Sequence, residues 1–213
     1  PEPSDSQQVD IIGTGVNPKM NHSHFTDVSG YNVRALRGEL TKTFMEQRGF
    51  DVSGVVLGDP ALLIPRLFPE WLEPTQDEKG IGFIPHYNDI EHTKKMEREY
   101  KRNGVDVCFP NQAATSVIDF IRSKKTIITS SLHGIIVAEA LVKDTRWVML
   151  PSSLDSETTF KYHDYFSVTG RSTFPQFATS VKEAIVSGHG TLPPCEYDDT
   201  ELFSVLHEYL LGS

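Results

Sequence analysis

The chain predicts an α/β fold, a parallel sheet with helices on both faces. Three features point there. Short β-branched apolar runs alternate with amphipathic stretches of about 10–13 residues, the spacing of β-α-β units. Gly, Pro, Ser and Asp punctuate these runs, stopping strands and starting helices. The 213 residues are 38% hydrophobic and 23% charged, enough apolar matter for one large domain but not for two complete ones.

Residues 1–9 read as a disordered lead-in, followed by a short strand over 9–12 that runs into Gly13-Thr14-Gly15. Residues 16–32 are loop-like. Over 35–47 the apolar positions Leu36, Leu40, Phe44 and Met45 recur at helical spacing, and Gly49 supplies the stop. A strand over 55–57 ends at Gly58-Asp59-Pro60, with apolar material over 61–68 beyond the turn. Strands follow over 81–84, 105–108, 126–129 and 147–150, separated by helices over 93–103, 112–124 and 132–142. Beyond Pro151 come a polar loop, a helix over 176–186, a Gly/Pro linker and an acidic helix over 199–211, expected to cover the chain's own sheet. No internal repeat, low-complexity tract or heptad series is present.

Charge and motifs exclude several classes. Twenty basic residues face 29 acidic ones, a net charge of -9, so the average surface repels nucleic acid and anionic lipid. Cys108 and Cys195 lack the spacing of a disulfide framework or a thiolate zinc site, which suggests a reducing compartment. No apolar run reaches the length of a membrane span and no signal pattern opens the chain, so a cytoplasmic protein without membrane insertion is expected. It begins at Pro1 rather than Met, which leaves room for an upstream tag, signal or domain. Gly13-Thr14-Gly15 lacks the rest of a dinucleotide fingerprint, and neither a Walker loop nor a Gly-x-Ser-x-Gly elbow is found. His22 and His24 are assigned to loop, not to a metal site.

Ligands of a parallel sheet collect where strands end, because helix N-termini converge there with unpaired N–H groups. The junctions at 13–15, 58–60, 85–87 and 129–134 are therefore the places to search. In the last, the strand runs through Ser130 and Ser131 into Leu132-His133-Gly134 and an apolar helix. Ser131 suits a helix cap, His133 lies in the first turn where the macrodipole favours a bound anion, and Gly134 permits close approach. A capped helix whose histidine bonds a nearby carbonyl is the structural alternative. Asp59 suits either acid/base work or an Asx-type turn before proline. His86 sits at a similar junction. Arg37 beside Gly38 either aims a guanidinium at an anion or is a solvated helix arginine. The run Lys161-Tyr162-His163-Asp164-Tyr165-Phe166 suits sugar stacking with hydroxyl recognition, or else a surface turn with aromatic packing.

In order, Ile12-Gly13-Thr14-Gly15, Arg37-Gly38-Glu39-Leu40-Thr41, Gly58-Asp59-Pro60-Ala61-Leu62-Leu63, Gly82-Phe83-Ile84-Pro85-His86, Ser130-Ser131-Leu132-His133-Gly134 and the run 161–166 resemble the polysaccharide pyruvyl transferase family. Within it, the bacterial exopolysaccharide ketal pyruvyltransferases of the succinoglycan type are the nearest likeness. Two departures stand out. Many relatives carry Arg just before Leu-His-Gly, where this chain has Ser131, so either another cation supplies that charge or donor binding is weakened. The family's amino-terminal half is also absent. The resemblance therefore implies half of a GT-B-like architecture: residues 1–33 as the tail of a mostly missing domain, 34–175 as a Rossmann-like domain, and 176–213 as helices packed on it.

The resemblance further implies transfer of pyruvate from phosphoenolpyruvate to two hydroxyls of a sugar in a glycan, forming a cyclic ketal and releasing phosphate. No metal or further cofactor is called for. On this reading His133 and Asp164 are catalytic, while Arg37, Asp59, His86, Ser131, Leu132, Gly134 and Lys161 bind substrate. The alternatives are a GT-B glycosyltransferase using a nucleotide sugar and a diverged, non-catalytic glycan-binding domain.

Overall fold

The computed structural model describes residues 8–18, 28–75, 78–150, 156–171 and 175–212. In chain order its strands and helices are β1 (Val9–Ile11), β2 (Tyr31–Val33), β3 (Ala35–Leu36), α1 (Glu39–Glu46), β4 (Val56–Leu57), α2 (Ile64–Leu67), β5 (Ile81–Ile84) and α3 (Ile90–Arg102). They continue with β6 (Val105–Val107), α4 (Ala114–Arg122), β7 (Thr126–Thr129), α5 (Leu132–Ala140), β8 (Asp144–Trp147), α6 (Ser156–Phe166), α7 (Val181–Ser187) and α8 (Thr200–Leu211). The chain divides into two compact units: Pro1–Pro60 with Ser156–Phe174 and Cys195–Ser213, and Ala61–Asp155 with Pro175–Pro194.

In the second unit four parallel strands lie in the order β6-β5-β7-β8. Phe83 pairs with Ile128 in register, and both side chains join Tyr100 of α3 and Val181 and Ala184 of α7 in one apolar layer. Ile84 and Ile127, one residue away on their strands, pack with Ile64 of α2, Ile121 of α4 and Ala138 of α5 in another. Consecutive strand residues thus feed opposite faces, and helices cover both, as the alternating pattern predicts.

In the first unit residues 31–36 are the central strand. β2 pairs in parallel with β1, β3 pairs in parallel with β4, and Thr14 bridges Leu36. Leu36, Met45, Phe50 and Val52 form the buried core here, with Ile11, Tyr31, Val33 and Leu57 packed against it. α8 lies against β4, with Leu202 fully buried, so the acidic helix does cover its own sheet.

Several expectations are corrected. The helix expected over 35–47 starts at Glu39, because Ala35 and Leu36 are drawn into a ladder with Val56 and Leu57. Tyr31 and Asn32, expected in a loop, begin the strand Tyr31–Val33. The last strand of the second unit is Asp144–Trp147 and not 147–150. Its polar residues mark a sheet edge, while Val148 continues it only by an isolated bridge to Ala178. That same bridge delays α7 to Val181, where the Ser180 side chain accepts a capping bond from the Glu183 N–H. Residues 161–166, read as a sugar-stacking patch or a surface turn, belong to α6. Tyr162, Tyr165 and Phe166, at helical spacing, are fully buried.

Candidate active site

β5 and β7 end side by side in the second unit, with Ile84 opposite Thr129. The Thr129 hydroxyl donates to the Ile84 carbonyl at 2.8 Å and accepts from the Ser131 N–H at 2.9 Å, fixing the turn between β7 and α5. Ser131 stands at the N-cap position in extended conformation, but its side chain makes no capping bond. The expected cap is therefore replaced by a threonine that ties the turn from below. Ser130, fully buried, has the more directed role: its hydroxyl accepts from the His86 N–H at 2.8 Å and donates to Asp89 Oδ2 at 2.7 Å. This one side chain clamps the turn after β5 to the turn after β7.

α5 is apolar nearly all round. Leu132, Gly134, Ile135, Ile136, Ala138 and Ala140 are buried, and of residues 132–140 only His133 is exposed. A Cβ at Gly134 would fall 2.3 Å from Thr129 Oγ1, so glycine is required for the helix to start this close to its strand. The imidazole of His133 thus projects to solvent from the first turn of a rigidly seated helix, at the carboxyl end of the sheet. His86 is half-buried at the neighbouring strand end, and its Nδ1 accepts from the Asn88 N–H at 3.3 Å.

The first unit gathers another set. Arg37 follows β3, and its Nε donates to Asp164 Oδ2 at 2.9 Å. Nη2 lies at the same distance from that oxygen, but it is not aligned to donate and is buried without a hydrogen-bond acceptor among the described residues. Asp164 is fully buried and also accepts from the Thr41 N–H at 2.8 Å and the Thr41 hydroxyl at 2.7 Å. Thr41 Oγ1 in turn accepts from the Val16 N–H at 3.2 Å. Glycines make the set fit: a Cβ at Gly15 would fall 2.0 Å from the Arg37 guanidinium carbon, and one at Gly38 would fall 1.8 Å from the Asp164 carbonyl oxygen. The separate sequence pieces Gly13-Thr14-Gly15, Arg37-Gly38-Glu39-Leu40-Thr41 and the 161–166 run are parts of one buried network.

The structure therefore places Arg37 and Asp164 together, and Asp59, buried after Gly58, in the same unit. Lys161 is half-buried, its Nζ 5.1 Å from the Tyr162 ring centre. His86, Ser131, Leu132, His133 and Gly134 meet at the strand ends of the second unit. Sequence reasoning missed Ser130 as a clamp, Asp89 as its buried acceptor, and Thr41 as the partner of Asp164. A serine directly after a buried strand and a threonine one turn beyond Arg37 were the available signals. Burial holds the His163 imidazole below its ordinary pKa and pushes the Cys108 thiol up. Neither cysteine forms a disulfide. Among the described residues no group of three His, Cys, Asp or Glu could hold a metal ion, and no helix is long and apolar enough to cross a membrane. His22 and His24 lie outside the described residues.

Comparison with known proteins adds to this geometry. An uncharacterized protein of Acanthamoeba polyphaga mimivirus, L143, is 27% identical over 179 residues, 82% of this chain and 62% of the relative. The chain thus spans less than two thirds of that relative's length. No solved structure matches. The model of the polysaccharide pyruvyl transferase family matches residues 11–143, more than half of the chain, and the chain belongs to that family.

Proposed function

We propose that this chain belongs to a transferase that moves pyruvate from phosphoenolpyruvate onto two hydroxyls of one sugar in a glycan, forming a cyclic ketal, within a GT-B-like architecture. The observation that carries this reading is His133, the exposed imidazole on an otherwise buried helix at the end of a parallel strand. The reaction needs a proton on the methylene carbon of the donor, which turns the carbon that bears the phosphate oxygen into an oxocarbenium-like centre. One sugar hydroxyl adds to it and yields its proton. The carbon–oxygen bond to phosphate then breaks as the departing phosphate takes a proton from the acid/base group, and the second hydroxyl closes the ring and returns its own proton to that group. The first step demands an acid, and the hydroxyl attacks demand a base. His133 supplies both in turn.

To Arg37 we assign charge stabilisation of the donor anion. Support comes from its buried Nη2, which makes no aligned hydrogen bond among the described residues while Nε is held by Asp164. Asp164 then acts through Arg37, as a positioning residue. With Ser131 where many relatives carry arginine, the positive end of α5 and its N–H groups provide for negative charge at that turn. Asp59, His86 and Lys161 are assigned to the reacting hydroxyls.

The test is phosphate release from phosphoenolpyruvate in the presence of acceptor glycan. His133→Ala is expected to lower the rate by about 100-fold or more, the usual scale of general acid-base catalysis. Equal rates in parent and variant remove His133 from the mechanism. Release of a nucleoside diphosphate from a nucleotide sugar, with no phosphate released from phosphoenolpyruvate, instead identifies the glycosyltransferase alternative.

A further inference from the structure

The turn after β5 is built more firmly than its connecting role requires. His86 donates its N–H to Ser130 Oγ at 2.8 Å, Ser130 donates to Asp89 Oδ2 at 2.7 Å, and the Asp89 N–H returns to the His86 carbonyl at 2.8 Å. Ser130 and Asp89 are both fully buried. Burying a carboxylate is costly unless it is hydrogen-bonded, so this clamp is a strong constraint on the backbone of 86–89. Between its two anchors, however, stand Tyr87 and Asn88, which point outward. Tyr87 is 71% exposed, and its ring and hydroxyl contact no partner among the described residues. Asn88 uses its N–H on His86 Nδ1, while its side-chain amide is unpartnered.

A large apolar ring with a polar tip, beside a group that both donates and accepts, is the pair that a sugar requires. The ring covers the C–H face of a pyranose, and the amide bonds its hydroxyls. Fixing the backbone beforehand removes part of the ordering cost of binding. We propose that Tyr87 and Asn88 form the platform on which the acceptor sugar lies, at the end of the sheet that also carries His133. The placement of this acceptor subsite rests on the transferase reading, whereas sugar binding by the platform does not require turnover.

The test is saturation-transfer NMR with three disaccharides, lactose, cellobiose and N,N′-diacetylchitobiose, on the parent, Tyr87→Ala, Tyr87→Phe and Asn88→Ala. Melting curves on each variant check folding, which an exposed ring is not expected to disturb. The parent is expected to saturate the C–H protons of one pyranose face. Tyr87→Ala should weaken affinity by about five- to ten-fold, the scale of a lost aromatic contact, while Tyr87→Phe should retain most of it. Asn88→Ala should weaken binding on the same sugar face. Unchanged saturation in Tyr87→Ala, or none of the three sugars saturated by the parent, overturns the platform. If sugars bind through Tyr87 but phosphoenolpyruvate is never consumed, the platform stands and the transferase reading falls. If phosphate is released at parental acceptor KM by Tyr87→Ala, the transferase reading stands and the platform falls.

Discussion

Removing the carboxylate of Asp164 is expected to be among the most damaging single changes to the first unit. The side chain is fully buried and accepts from the Arg37 guanidinium, the Thr41 N–H and the Thr41 hydroxyl, all at 2.7–2.9 Å. Asp164→Ala leaves Arg37, itself only 8% exposed, as a buried cation without its counter-ion, and strands two further donors. Breaking one side of such a pair costs about 3–5 kcal/mol. For a chain of this size that corresponds to a fall in Tm of about 6–20 °C. Asp164→Asn keeps the shape but loses the charge, and should cost about 1.5–3 kcal/mol. Arg37→Met in the Asp164→Ala background should recover part of the loss, because the orphaned charge is then gone. Urea unfolding of the parent, Asp164→Ala, Arg37→Met and the double variant gives the coupling directly. A loss below about 1 kcal/mol for Asp164→Ala, the range of an exposed pair, would refute the buried network as the support of Arg37.

Other outcomes follow from particular contacts. Because burial lowers the folded-state pKa of His163, the unfolded chain binds the extra proton first. The stabilisation is complete above the unfolded value of about 6.5 and is lost as pH falls below it, so His163→Gln should flatten the Tm profile between pH 5 and 7. Gly134→Ala must push Thr129 Oγ1 out of a 2.3 Å contact and should cost about 1–3 kcal/mol, read by chemical denaturation. Tyr197 donates to the Leu57 carbonyl at 2.6 Å, and burial followed by Asp199 and Asp198 pushes its pKa up to about 12. Burial also pushes the Tyr100 phenol up, so alkaline absorbance titration should show a late tyrosinate phase that loses the amplitude of one tyrosine in Tyr197→Phe.

The central sheet was legible in the sequence because buried parallel strands are short, β-branched and sharply bounded. Ile81–Ile84 and Thr126–Thr129 lie where the pattern predicts them. Two-residue strands such as Ala35–Leu36 carry no periodicity of their own and exist only because Val56–Leu57 lies alongside. α6 was hidden by its composition, since a stretch of Lys, His and Asp among aromatics resembles a turn until Tyr162, Tyr165 and Phe166 are seen to share one buried side. Candidate site residues were visible one by one at strand ends. Their pairing was not, because Arg37 and Asp164 are 127 positions apart. Nor does spacing reveal that Ser130, and not Ser131, makes the directed hydrogen bonds.

The most direct measurement is mass spectrometry with NMR of glycans incubated with the protein and phosphoenolpyruvate in heavy water. A pool of soluble oligosaccharides ending in galactose, glucose and N-acetylhexosamine serves as acceptor. The account predicts that one of them gains a pyruvyl ketal, with one phosphate released per ketal and one solvent deuteron in its methyl group, and that His133→Ala abolishes the gain. Undiminished product with His133→Ala, or phosphate and free pyruvate formed without any glycan product, would contradict it.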